Sequence, residues 1–209
     1  MLISDSRKFV FVHLMKTGGE SITETLMPFA SVVYPDGHYK HATARTIRRE
    51  FFAPENGREW SDYFSFGVIR NPWEQVHSDY HYCRRCGVPN ARYGTWRDKV
   101  IRAKSQSFAE FVVDICGPHG TDGPGMFQHY LADEHGEQMV SRVVRMEDLL
   151  SEWSGICDAL ELLFFELPRR NVTASRPDYR AEYDDRSRHL VSVRFADDIQ
   201  RFGYSFERV

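Results

Sequence analysis

Nine residues near the start of the chain, His13-Leu14-Met15-Lys16-Thr17-Gly18-Gly19-Glu20-Ser21, constrain most strongly what it can fold into. They follow Phe9-Val10-Phe11-Val12, an apolar run of aromatic and β-branched residues that reads as a buried strand over 9–14. Ile22, Leu26 and Phe29 then recur at helical spacing, and Pro28 marks a stop. Strand, glycine turn and helix in succession make a seat for a phosphate-sized anion. Adjacent glycines let backbone approach a ligand closely, and the free N–H groups of a helix start point at it. Lys16 brings a point charge for an oxyanion, and Thr17 and Ser21 bring hydroxyls. Thr17 with Glu20, and Ser21 with Glu24, both have capping-box spacing.

A second junction of the same kind lies downstream. Phe64 to Ile69 reads as a buried strand that runs directly into Arg70-Asn71-Pro72. Asn71 suits an N-cap, Pro72 the first helical position, and Glu74 the position of a capping glutamate. On that helix Trp73, Val76 or His77, and Tyr80 form an apolar stripe, while Ser78 shares the other face with Asn71. An arginine at a strand end and a serine two turns into the next helix can grip one phosphate.

The two blocks together resemble the carbohydrate-type sulfotransferases. HLMKTGGES is similar to the loop H-[IL]-P-K-T-G-G-T-S, which in that family holds the 5′-phosphosulfate of 3′-phosphoadenosine-5′-phosphosulfate (PAPS). FSFGVIRNPWEQVHSDYHY, residues 64–82, is similar to the family's 3′-phosphate segment. Glu147 after a short strand, and the closing Asp-Ile-Gln-Arg-Phe-Gly-Tyr, also look like the family. The resemblance implies that Lys16, Thr17, Gly18, Gly19, Glu20, Ser21 and Ile22 bind the donor, with Lys16 as the leaving-group cation, and that Arg70 and Ser78 hold its 3′-phosphate. It implies transfer of a sulfuryl group to a hydroxyl of a carbohydrate or glycosylated metabolite, without a metal. The sequence is further similar to heparan-type 2-O-sulfotransferases, in which the base is a histidine between the two blocks. That gives His41, with His38 as runner-up, among nine histidines in the chain. Glu20 is a further possibility, because other branches use a glutamate; His13 reads as a core histidine.

The departures from the pattern are Met15 for proline, Glu20 for threonine and Gln75 for a common arginine. Arginines over 169–180 fall in a region that in the family lies near the nucleotide. The G-x-x-x-x-G-K-[ST] loop is absent because the lysine precedes the glycines, which disfavours a nucleotide kinase as the alternative. A donor-binding homologue without turnover is the other alternative.

Strands alternating with helices predict an α/β fold: a three-layer α/β/α arrangement around a mainly parallel sheet, akin to the P-loop nucleotide kinases. A chain of 209 residues suits one domain over 1–209. A helix is expected from Thr43, an irregular or partly helical stretch over 86–104, a helix opened by Ser107 and Glu110, a strand over 140–145, and helices over 148–164 and 187–202. Residues 83–106 and 117–137 are the expected acceptor-facing segments. The net charge of −3 argues against a nucleic-acid binder. No long apolar run is present and the polar opening does not read as a signal peptide, so a cytoplasmic protein without membrane contact is expected. Four cysteines include one C-x-x-C, Cys83 and Cys86, which alone is a poor zinc signal even with His81 beside it.

Overall fold

A computed structural model describes residues 1–34, 37, 39–89, 95–118, 125–168 and 178–207. Its contacts divide the chain into two compact units, Met1–Arg70 with Met126–Val172, and Asn71–Gly125 with Thr173–Val209.

The first unit is built on a five-stranded sheet with strands β1 (Leu2–Ser4), β2 (Phe9–Val12), β3 (Val32–Val33), β4 (Phe64–Ile69) and β5 (Arg142–Arg145). The spatial order is β3-β1-β2-β4-β5. β2, β4 and β5 pair in parallel, while β1 pairs antiparallel with both β2 and β3. This is the expected α/β arrangement with parallel central strands, but β1 and its hairpin were not foreseen. Three residues carry too little alternation to register as a strand; Leu2 nevertheless faces Phe11 in the pairing and is fully buried. The hairpin turn places Lys8 at φ 48°, and Asp5 in that turn is held by Arg58 Nε and Nη2 at 2.7 and 2.8 Å and by the Tyr63 hydroxyl at 2.7 Å.

Period-2 alternation sorts the side chains. Phe9 and Phe11 of β2, Phe66 and Val68 of β4, and Val144 of β5 share one core cluster with helix α1 (Gly19–Leu26), through Ile22 and Leu26, and with helix α7 (Leu149–Ala159), through Leu149, Trp153 and Ile156. The Phe11 and Phe66 rings are register partners with centroids 5.1 Å apart. On alternate positions of β4 sits Gly67, where a Cβ would come within 2.6 Å of Leu131. Leu131 follows the short helix α6 (Met126–Tyr130). Helix α2 (Ala44–Phe51) begins as expected, with the Thr43 hydroxyl accepting from Thr46 N–H.

The second unit is helical: α3 (Pro72–Arg85), α4 (Thr95–Ser105), α5 (Phe108–Cys116), α8 (Asp185–Arg194) and α9 (Ala196–Phe202). Asn71 caps α3 by accepting from Trp73 N–H, and Ser107 with Glu110 closes a full capping box on α5. Trp73 is a core residue: only 4% exposed, it donates to the Arg188 carbonyl at 3.0 Å, and its own carbonyl accepts from the Tyr183 hydroxyl. Two expected helices are shorter than their apolar stripes suggest. α7 ends near Leu160, Glu161 takes φ 53°, and Phe164 is turned out at 62% exposure instead of continuing the stripe. The expected helix over 187–202 is two helices meeting at Phe195.

Phe66 stands at the centre of the parallel strands with no exposure. Phe66→Ala should cost about 3–5 kcal/mol, read as a fall in the urea midpoint at unchanged slope.

Candidate active site

The turn after β2 takes its shape from two left-handed residues, Lys16 at φ 61° and Gly18 at φ 76°. For a lysine that conformation is uncommon and needs support. Arg70 supplies it: one guanidinium nitrogen donates to the Lys16 carbonyl at 3.2 Å. Arg70 is only 7% exposed and leaves the end of β4, the parallel neighbour of β2. Parallel pairing puts the two strand ends side by side, so residues 54 apart in sequence meet. Thr17 is buried and its hydroxyl donates to the Leu14 carbonyl at 3.1 Å, so it closes the turn instead of presenting its proton to a ligand.

The two glycines serve different ends. At Gly18 a Cβ would have ordinary 3.8 Å contacts with Met146 and Leu149, so the requirement there is the positive φ. At Gly19 the requirement is space, since a Cβ would lie 2.2 Å from the His13 ring. His13 is the buried core histidine expected: it stacks on Phe11 at 5.5 Å, and its Nδ1 lies 3.4 Å from the Thr23 hydroxyl. Burial pushes its pKa down to about 2.

Helix α1 begins at Gly18 with no side-chain cap. Neither Thr17 nor Glu20 forms the capping box that their spacing allows. Ser21 N–H turns back to the Gly18 carbonyl at 3.1 Å, and Glu20 pairs with Lys40 at 2.8 Å. The Lys40 ammonium offsets the carboxylate that replaces threonine in the loop. A first turn without a side-chain cap suits an anion, which the helix dipole also favours. Ile22 has no exposure and packs in the core, so only its backbone is available to a ligand.

Next to Lys40, His41 Nδ1 lies 2.8 Å from the His13 carbonyl, the first residue of the loop. A carbonyl only accepts, so Nδ1 carries the proton and Nε2 keeps its lone pair. Burial lowers the His41 pKa, which keeps the ring neutral. Its ring meets His13 edge-on at 4.8 Å. His38 lies outside the described residues, as do Arg169, Arg170 and Arg176. Arg180 is described and paired with Asp178 and Glu207.

The loop is therefore joined to Arg70 through the Lys16 carbonyl, to Lys40 through Glu20 and to His41 through the His13 carbonyl. A family model described as the sulfotransferase family matches residues 1–205. The chain belongs to the sulfotransferase family. Searches among curated proteins and among solved structures return no match. The chain's place in this family supports sulfuryl transfer in general. Its Ser78 is half-buried on α3 in the helical unit. Among the described residues, no helix is long and apolar enough to cross a membrane.

The Lys40–Glu20 pair and the seat of His13 beneath Gly19 escaped sequence reading. A salt bridge between residues 20 apart leaves no periodic signal. The second glycine of the pair was the available hint of a close approach.

Two outcomes follow from this packing. Gly19→Ala should destabilise the protein and abolish the loop geometry, whereas Gly18→Ala should cost only about 1–2 kcal/mol for its left-handed backbone; urea melts compare the two. His13 stays neutral in the folded state down to about pH 2 but takes a proton near pH 6.5 when unfolded. Stability should therefore fall as pH drops below about 6.5, by up to ~1.4 kcal/mol per unit for this one group. His13→Gln should show a stability slope between pH 5 and 6.5 that is smaller by about half a proton at the upper end and nearly one at the lower.

Proposed function

We propose that the protein transfers a sulfuryl group from PAPS to a hydroxyl of a carbohydrate or glycosylated metabolite, in the manner of the 2-O-type enzymes that the sequence resembles. The observation that carries the reading is the clip between His41 and the loop. A neutral imidazole with Nδ1–H fixed on the His13 carbonyl is the tautomer a general base requires.

PAPS when bound supplies the activated sulfur and a phosphate leaving group. The uncapped start of α1 and the Lys16 ammonium bind and orient the 5′-phosphosulfate, and Arg70 takes the 3′-phosphate, a role that the resemblance also gives to Ser78. As the acceptor oxygen forms its bond to sulfur, the bond from sulfur to the 5′-phosphate oxygen breaks. His41 Nε2 takes the acceptor proton, and Lys16 neutralises charge that develops on the leaving oxygen. Glu20 is a poorer base because it already pairs with Lys40. The chemistry runs on fixed positive charge and one neutral imidazole, which fits a reaction without a catalytic metal.

Calorimetry with adenosine 3′,5′-bisphosphate tests the donor site. Micromolar binding indifferent to magnesium is expected, weakened about 10–100-fold in Lys16→Ala and in Arg70→Ala. His41→Ala should bind the bisphosphate as the parent does, while sulfuryl transfer falls by about 10²–10⁴. A folded protein that ignores the bisphosphate but binds ATP with magnesium would overturn the proposal in favour of a kinase. Bisphosphate binding without turnover on any glycan hydroxyl would leave a donor-binding homologue.

A further inference from the structure

In the helical unit, three groups converge that the transfer reaction does not use. His77 and His81 stand one helical turn apart on α3, so both rings project from the same face. Each turns Nε2 toward the same carboxylate oxygen, Glu182 Oε1, at 3.2 and 2.9 Å. Glu182 ends a 3₁₀ turn, Tyr179–Glu182, more than a hundred residues further on. The three ligand atoms lie within 4.8 Å of one another.

We propose that His77, His81 and Glu182 form a site for a divalent transition metal, with Zn²⁺ the best chemical match. A tetrahedral zinc with bonds of ~2.0–2.1 Å has ligand-to-ligand edges of about 3.3–3.4 Å. Both nitrogen-to-oxygen separations are within a few tenths of an ångström of that edge. Two imidazoles and a carboxylate are ligands of intermediate softness, suited to zinc and its neighbours rather than to calcium or magnesium. Rings and carboxylate are half-buried, with side-chain exposures of 12%, 31% and 32%, so an ion can enter yet is partly shielded from water. His77 is also braced from one side by Phe108, edge-on at 5.6 Å.

A ring that coordinates through Nε2 keeps its proton on Nδ1, and water completes the fourth position. The C-x-x-C pair does not contribute. Cys83 is buried and directs its sulfur to Asp79 at 3.9 Å. The metal's role is to pin α3, which carries Ser78 beside His77, to the Tyr179–Glu182 turn. The site is independent of how the donor is held.

The test uses tag-free full-length protein stripped with chelator, titrated with Zn²⁺ against a chromophoric indicator and, separately, with Co²⁺. One equivalent should bind, Co²⁺ should give visible bands of tetrahedral type, and no near-ultraviolet thiolate charge-transfer band should accompany them. His81→Ala and Glu182→Gln should each weaken Zn²⁺ binding by about 100-fold or more, and Cys86→Ser should leave it unchanged. Circular dichroism checks that each variant is folded; Glu182→Gln keeps the side-chain shape if His81→Ala does not fold. Unchanged affinity in Glu182→Gln, a thiolate band, or no binding by folded protein at roughly a hundred micromolar Zn²⁺ would overturn the site.

Discussion

Parallel pairing of β2 with β4 is the constraint on which the rest of the site depends. It sets two strand ends next to each other and lets Arg70 reach the Lys16 carbonyl. A lysine in a left-handed conformation costs energy, and that bond helps to hold it there. With it, the turn that carries Lys16 is fastened to the strand that opens the second motif. The hydrophobic register does the positioning: Phe11 against Phe66 fixes which residues fall at the strand ends.

Much of this is legible in the sequence. The apolar runs at 9–12 and 64–69, the Asn71 cap and the Ser107 capping box state their structure in a few adjacent residues, where local chemistry decides the outcome. The limits were equally physical. β1 is three residues long, too short for a pattern, and is recruited by its partner strand. The stripe that ends in Phe164 keeps helical spacing past Leu160, yet the backbone turns away at Glu161 and leaves Leu163 and Phe164 outside. Periodicity reports what a helix would bury, not where the chain stops being one. In the site, Lys16 and Arg70 were visible as residue types, but the bond between them was not. Thr17 and Glu20 have the spacing of a cap and are taken instead by Leu14 and Lys40. Side chains with several possible partners are settled by three-dimensional competition, which a linear spacing does not encode.

The electrostatics of the loop form one scheme. Glu20 puts a negative charge at the start of α1, and Lys40 neutralises it from outside the loop. The two neighbouring histidines are kept neutral by burial, so they add no positive charge beside Lys16. His13 fills the space under Gly19, and its carbonyl orients His41. A single residue thus serves the packing of the helix start with its ring and the tautomer of its neighbour with its backbone.

The margins of the sheet have a bearing on how the protein behaves at high concentration. One outer strand, β3, is only Val32–Val33, and the other, β5, begins and ends in arginine. Two residues offer too few backbone groups to template an incoming chain, and paired cations on a four-residue strand discourage a like strand from docking. Arg142 lies over the Phe64 ring at 5.7 Å and Arg145 pairs with Asp148, so both charges are held in place at that margin. Sheet extension from one molecule to the next, the route by which exposed strands seed fibres, is disfavoured by length on one side and by flanking arginines on the other.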